Sequence, residues 1–445
     1  MRLLRKKNLL CLCLFCMLLF LCRGNPLLQA LRENGENACA KVFSCMCVYA
    51  EEGEPEETVR AEVEEEVERV VPKGLYAYAS CLLDAENDRV LFENHGNEVL
   101  PMASTTKIMT LIVLLEHASM DEVVTVSKNA AAQPDVQLNI RTGEQYRLGD
   151  LVYSLMLESH NDVAVALAEH VGGSVEGFCA MMNAKAAALG LKDTCFETPN
   201  GLDSENHHTT AIELSKIASY AIKNPDFIKI TNTATYRFQE LTTGRSFTVS
   251  NKNRFLYMMD GAIGIKTGFT GKAGYCFVGA LKRGEHTLIA TMLACGWPPN
   301  KSYKWSDTQK LMNYGLTYFN KEPVGSRAKL SVNGQQADEM LTDLTEYRNT
   351  IPVVGGISDE VHIAADAHSV EPLLLAAWEQ PSVEIHYEDT LFAPVMAGDV
   401  VGSIVYRIDE KVYTTAMIRT TESVAEPDFW YCLQQVLMRW KCGDF

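Results

Sequence analysis

The chain has 445 residues, 47% apolar and 22% charged, a globular composition long enough for one large core and a smaller domain. Its formal net charge is -17, and no basic stripe of the kind that grips phosphates is present, so nucleic acid is excluded as a partner. The acidity is concentrated between Glu51 and Val70, where ten Glu face only Arg60 and Arg69, a local net charge of -8 that reads as a solvated tether.

The start of the chain reads as an export leader. Arg2, Arg5, Lys6 and Lys7 precede an apolar run from Leu9 to Cys22, too short to span a bilayer permanently. Residues 1–50 are therefore expected to be a signal region with an open cleavage site, and residues 51–72 an acidic linker. Of 14 cysteines, seven lie at or before Cys47; Cys81, Cys179, Cys195, Cys276, Cys295, Cys432 and Cys442 remain. Their spacing matches neither a metal knuckle nor a redox pair, and most are expected to be small buried hydrophobes.

Tyr76 to Asp84 and Arg89 to Phe92 predict a hairpin around Glu86-Asn-Asp88. Lys107 to Glu116 is an apolar helical run with Ser104 just before it. Leu148 to Val171 is strongly helical, interrupted at Ser159-His-Asn161 and closed by Gly172-Gly173. Helices are also predicted over Val175 to Leu189 and Thr209 to Lys223. Strands return at Ser246 to Val249, Ile263 to Lys266, Tyr275 to Lys282 and His286 to Cys295, and Asp307 to Phe319 reads as a closing helix. This order suits an α+β fold: one antiparallel sheet built from both ends of a catalytic domain at 73–320, flanked by helices, with a helical subdomain inserted. Short strands separated by Gly, Pro and Asp then predict a small β-rich domain at 326–420. Phe429, Trp430, Leu433, Val436, Leu437 and Trp440 share one helical face, so residues 427–445 are expected to form an amphipathic helix that attaches to a membrane surface.

Three short motifs carry the chemistry. Ser104 and Lys107 are three residues apart, which puts them on one helix face. A serine hydroxyl is a poor nucleophile until a base removes its proton, and a lysine whose pKa is lowered by burial can do so. Ser159 and Asn161 sit in a turn between helical segments, where both can project into a cleft; Ser159 is suited to passing a proton, and Asn161 to holding Lys107 or the substrate amide. The bland alternative is a helix-capping arrangement of Ser159 with Asp162. Lys266, Thr267 and Gly268 end a strand: the amine and hydroxyl match a terminal carboxylate, and Gly268 allows close approach of a substrate backbone. The N–H groups of Ser104 and Phe269 would then form an oxyanion hole. His160 is placed at the cleft rim, and the His207-His208 pair reads as a solvated approach to a helix, since no third metal ligand follows at a convincing spacing. No metal or cofactor is required.

With these motifs in order, the chain resembles the low-molecular-weight penicillin-binding proteins that act as serine-type D-alanyl-D-alanine carboxypeptidases, the peptidase S11 family. Pro101-Met-Ala-Ser-Thr-Thr-Lys-Ile-Met-Thr110, Ser159-His-Asn-Asp-Val-Ala-Val-Ala-Leu-Ala-Glu169 and Ile265-Lys-Thr-Gly-Phe-Thr-Gly-Lys-Ala-Gly274 are similar to its three signature segments. The similarity extends over residues 76–418. It implies the penicillin-binding, serine β-lactamase-like transpeptidase fold and removal of the terminal D-alanine from peptidoglycan pentapeptides through an acylated Ser104. It also implies Lys107 as general base, covalent inhibition by β-lactams, and a place on the outer face of the cytoplasmic membrane or in the cell-wall space. The chain departs from the family at His160, where Gly is usual, at Phe269, and at Asn200-Gly201 in place of a His-Gly pair. A β-lactamase would use the same acylation parts, but no Glu-x-x-x-Asn segment lies between Ser159 and Lys266. A non-enzymatic wall-binding protein is the alternative from another class.

Overall fold

A computed structural model describes residues 68–324, 327–337, 349–366 and 372–442 of the chain. The leader at 1–50 and all but the end of the acidic linker lie outside the described residues.

Two separate stretches of the chain, 79–94 and 262–293, build the central sheet. It is five-stranded and antiparallel, in the spatial order Arg89–Asn94, Ala79–Asp84, His286–Leu293, Gly274–Arg283 and Ala262–Thr270. Ala79–Asp84 is buried along its whole length because it is covered on both faces. Its side chains alternate between two cores. Cys81 and Leu83 join the core that includes the helical subdomain, and Leu82 joins the core under the helix Tyr303–Tyr318. Register is fixed by this alternation: Leu82 pairs with Ala290, and a one-residue slip would exchange the two faces. The two-residue connection at Gly284-Glu285 closes the hairpin between Gly274–Arg283 and His286–Leu293, the fourth and fifth strands of this sheet in chain order. Ala262–Thr270 lies at the sheet edge, with one side open to the cleft.

Between the second and third strands of this sheet the chain forms the helical subdomain. It contains the helices Lys107–His117, Leu148–Leu157, Asn161–Gly172, Val175–Ala188 and Ala211–Ala221. Thr210 caps the last of these through the N–H of Glu213, and Gly173 ends Asn161–Gly172 in the left-handed conformation. A further helix, Pro225–Asn232, was not expected. The predicted interruption at Ser159-His-Asn161 is real: Ser159 takes φ 72°, an uncommon backbone for a residue with a side chain.

Beyond the closing helix the chain enters a β-rich region. Phe319–Glu322 pairs with Leu373–Ala376, and an eight-stranded sheet is built around Pro381–Tyr387, Val400–Ile408 and Lys411–Thr420. Val383, Ile385, Ile404, Tyr406 and Ile418 fill its core at alternating positions. Trp378 packs against Tyr314, Tyr318 and Phe319, and Arg89 binds both Glu379 and the carbonyl of Leu374.

Phe429–Cys442 forms the expected helix. The membrane partner assigned to residues 427–445 does not stand. Its 14 residues rise only about 21 Å, against roughly 30 Å of bilayer core. Among the described residues no helix is long and apolar enough to cross a membrane.

Candidate active site

The nucleophile segment begins with a single 3-10 turn, Ala103–Thr106, that runs directly into Lys107–His117. Ser104 lies on this turn, half-buried, and the Lys107 side chain is fully buried one turn on. Lys107 Nζ is 2.9 Å from Ser104 Oγ, 2.9 Å from Asn161 Oδ1 and 2.6 Å from the main-chain oxygen of Asn200. The amide oxygen and the carbonyl can only accept. A neutral amine spends both its hydrogens on them, which leaves its lone pair toward Ser104 Oγ, whose hydroxyl is also 3.2 Å from the Asn200 oxygen as a donor. Burial is the main force holding the Lys107 amine well below the ordinary lysine range; the positive field of Lys266 adds to it, and Asp162 opposes it. Geometry and burial thus both favour an uncharged amine beside the Ser104 hydroxyl.

Asn161 is held in one orientation. Its side-chain nitrogen donates to the carbonyls of Pro134 (3.2 Å) and Asp135 (3.0 Å), so its oxygen must face Lys107. Asp162 braces the same loop, accepting the N–H groups of Leu138 at 3.0 Å and Ile140 at 3.2 Å. It makes these bonds rather than closing a capping box with Ser159. Ser159 Oγ is buried and has no hydrogen-bond partner among the described residues. It is on the second-motif turn as expected but is not bonded to Lys107 or Ser104.

His160 is not on the cleft rim. It is 4% exposed, with Nδ1 2.7 Å from Ser154 Oγ and Nε2 3.6 Å from Glu158. The ring braces the turn from within the helical subdomain, and burial lowers its pKa. His207 also differs from expectation. It is buried, accepts the N–H of Glu197 at Nδ1 (3.1 Å) and meets Thr106 Oγ1 at Nε2 (2.7 Å). Burial pushes its pKa down to about 4.

The edge strand closes the site. A Cβ built on Gly268 would lie 3.0 Å from the Ser104 nitrogen and 3.1 Å from the Ala103 Cβ, so a larger residue would push the strand away from the Ala103–Thr106 turn. Lys266 is buried, and its Nζ donates to the carbonyl of Thr267 at 2.9 Å. Burial lowers its pKa to about 7. Phe269 is exposed and rests on Tyr275, with ring centroids 4.7 Å apart.

One component had no side-chain signature. The carbonyl of Asn200 is delivered by a loop whose Gly201 has φ 83° and packs under Ser104; a Cβ there would meet the Ala103 oxygen at 2.1 Å. Among the described residues no group of three or more His, Cys, Asp and Glu side chains is placed to hold a metal ion. Cys81, Cys179, Cys276 and Cys295 are free and buried, and burial raises each thiol's pKa.

A nucleophile turn under an antiparallel edge strand, with a buried serine–lysine pair between sheet and helices, is the penicillin-binding transpeptidase architecture. The family described as D-alanyl-D-alanine carboxypeptidase matches residues 66–295, and the chain belongs to that family, peptidase S11. The D-alanyl-D-alanine carboxypeptidase DacF of Bacillus subtilis (strain 168) is 27% identical over 373 residues, covering 82% of this chain and 90% of that relative. The D-alanyl-D-alanine carboxypeptidase of Streptomyces sp. (strain K15) is 37% identical over 229 residues, covering 48% of this chain and 78% of the relative. Among solved structures, penicillin binding protein 5 from Haemophilus influenzae shares the fold. Its TM-score is 0.63 at 24% identity, covering 80% of this chain and 100% of the other. The Streptomyces K15 DD-transpeptidase superposes with a TM-score of 0.53 at 33% identity, covering 56% of this chain and 99% of the other.

Proposed function

We propose that this serine-type D-alanyl-D-alanine carboxypeptidase acts through Ser104, on peptidoglycan stem peptides ending in D-alanyl-D-alanine. The observation that carries this reading is the 2.9 Å approach of Lys107 Nζ to Ser104 Oγ, with acceptors on both of its other contacts. Lys107 takes the hydroxyl proton as Ser104 Oγ attacks the carbonyl carbon of the penultimate D-alanine. The N–H groups of Ser104 and Phe269 receive the developing oxyanion, and such a donor typically contributes about 3 kcal/mol. The C–N bond then breaks, and the leaving amine takes a proton through the buried hydroxyl of Ser159. Water hydrolyses the ester with Lys107 again as base. Lys266 and Thr267 bind the substrate's terminal carboxylate, and Gly268 admits its backbone alongside the strand.

A β-lactam follows the same path as far as the acyl-enzyme. In this reading residues 73–320 are the catalytic domain and residues 326–420 a separate β-rich domain. The leader directs export, so the enzyme works in the cell-wall space. Intact-mass measurement after penicillin treatment, with peptide mapping, tests the nucleophile: one adduct on Ser104 is expected, and none on the Ser104→Ala protein. Release of D-alanine from a pentapeptide ending in D-alanyl-D-alanine tests the reaction. Sustained rapid turnover of penicillin would instead mark a β-lactamase.

A further inference from the structure

We infer that His207 is a positioning residue for the oxyanion-binding peptide of the nucleophile turn, acting through Thr106 and the carbonyl of Ala103. The inference rests on the reading of Ser104 as nucleophile and of its N–H as an oxyanion donor.

The hydrogen bonds run one way. The main-chain N–H of Glu197 can only donate, so His207 Nδ1, 3.1 Å away, accepts. The ring proton of a neutral imidazole then sits on Nε2, which donates to Thr106 Oγ1 at 2.7 Å. Thr106 Oγ1 in turn donates a hydrogen bond to the carbonyl oxygen of Ala103, 2.8 Å away. That carbonyl and the N–H of Ser104 belong to the same planar peptide, so holding the oxygen aims the N–H the opposite way. The Ser104 nitrogen faces the edge strand, where a Cβ on Gly268 would lie 3.0 Å from it.

This peptide needs such a hold. Ala103 has φ 49°, a left-handed conformation that costs a residue with a side chain and persists only when its surroundings impose it. The Phe196 ring meets the imidazole edge-on at 5.9 Å. Burial keeps the ring neutral in the face of Glu197 and Asp203, which favour its protonation, while His208 opposes it. The loop is also seated independently of His207: Thr110 Oγ1 donates to the Pro199 oxygen at 2.7 Å, and Cys195 and His208 exchange backbone hydrogen bonds. Removing the imidazole therefore takes away the donor that orients the Thr106 hydroxyl toward the Ala103 carbonyl, without unseating the loop.

The test uses the full chain and a penicillin, and separates initial non-covalent affinity from the acylation rate constant. Thr106→Val and His207→Leu are each expected to slow acylation about 10–100-fold while initial affinity stays within about threefold, because an oxyanion donor acts on the transition state. The double variant should be no slower than the slower single one, because both break one relay. Thr106→Ser should restore the rate. A merely structural role would lower the thermal midpoint and leave the acylation rate constant of the folded protein unchanged. Single variants within about twofold of wild type, or losses that multiply in the double variant, would overturn the inference. Labelling of the Ser104→Ala protein would instead refute the underlying nucleophile reading.

Discussion

Lys107 Nζ lies 2.6 Å from the main-chain oxygen of Asn200, 93 residues further along the chain. A carbonyl cannot donate, so this contact commits one amine hydrogen and leaves the proton-accepting side of the nitrogen for Ser104. A backbone atom of an irregular loop thus shapes the surroundings of Lys107 as much as the Asn161 side chain does.

Lys107→Met keeps an unbranched apolar stem, one atom shorter, and removes the nitrogen. Acylation by penicillin should fall about 10²–10⁴-fold, the range expected when a general base is lost. Circular dichroism should still report a folded protein. Retained labelling at the wild-type rate would assign the base elsewhere.

The dependence on pH follows from two lowered lysines. Lys107 must be neutral to accept the serine proton, so kcat/KM should fall as pH drops through its depressed pKa. Lys266 must be charged to hold a carboxylate, so kcat/KM should also fall on the alkaline side, as the free enzyme passes the Lys266 pKa of about 7. Lys266→Arg keeps its charge at any accessible pH and should remove the alkaline limb while leaving the acid limb. An unchanged alkaline limb in that variant would show that another group produces it.

Gly201→Ala should damage catalysis more than folding. Its φ of 83° resists a side chain, and the new Cβ would strike the Ala103 oxygen at 2.1 Å. The strained backbone should cost about 1 kcal/mol of stability or more. Displacement of the carbonyl should slow acylation at least about tenfold. Stopped-flow acylation alongside thermal unfolding separates the two effects.

The catalytic sheet and the β-rich region share a charged contact. The side chains of Arg89 and Glu379 are only 8% and 12% exposed. Glu379→Ala leaves the guanidinium without its carboxylate and should cost about 3 kcal/mol, whereas replacing both partners by Met should recover much of that loss. Chemical denaturation of the three proteins checks this. A double variant as unstable as the single one would mean that the Leu374 carbonyl, the other Arg89 partner, carries the effect.

Much of the site was legible because its residues are local. Ser104 and Lys107 need only a helical turn between them, and the sequence shows that turn opening an apolar helix. The edge strand was recognisable but longer than expected, Ala262–Thr270 rather than Ile263 to Lys266, because its second half is polar and glycine-rich. The ribbon of Val123–Thr125 with Gln145–Arg147 has three residues per strand, too few for alternation to register. Pro225–Asn232 did carry a signal, an Asn cap followed by Pro, in a segment too short to show periodicity. His207 was misread because hydrophilic neighbours suggest solvent, whereas its burial depends on where Thr106 lies. The membrane attachment expected of the last helix followed from its apolar face alone, which says nothing of its partner.

The central sheet is stitched from strands at Ala79–Asp84 and His286–Leu293, so the chain's synthesis order matters. A nascent polypeptide that has emerged only as far as Asn161 carries its serine and lysine but no strand bearing Lys266 and Gly268 to complete the cleft. Catalytic competence therefore arrives late, after the third motif has been made and the sheet has closed. Until then the chain has no complete cleft in which to hold a D-alanyl-D-alanine terminus.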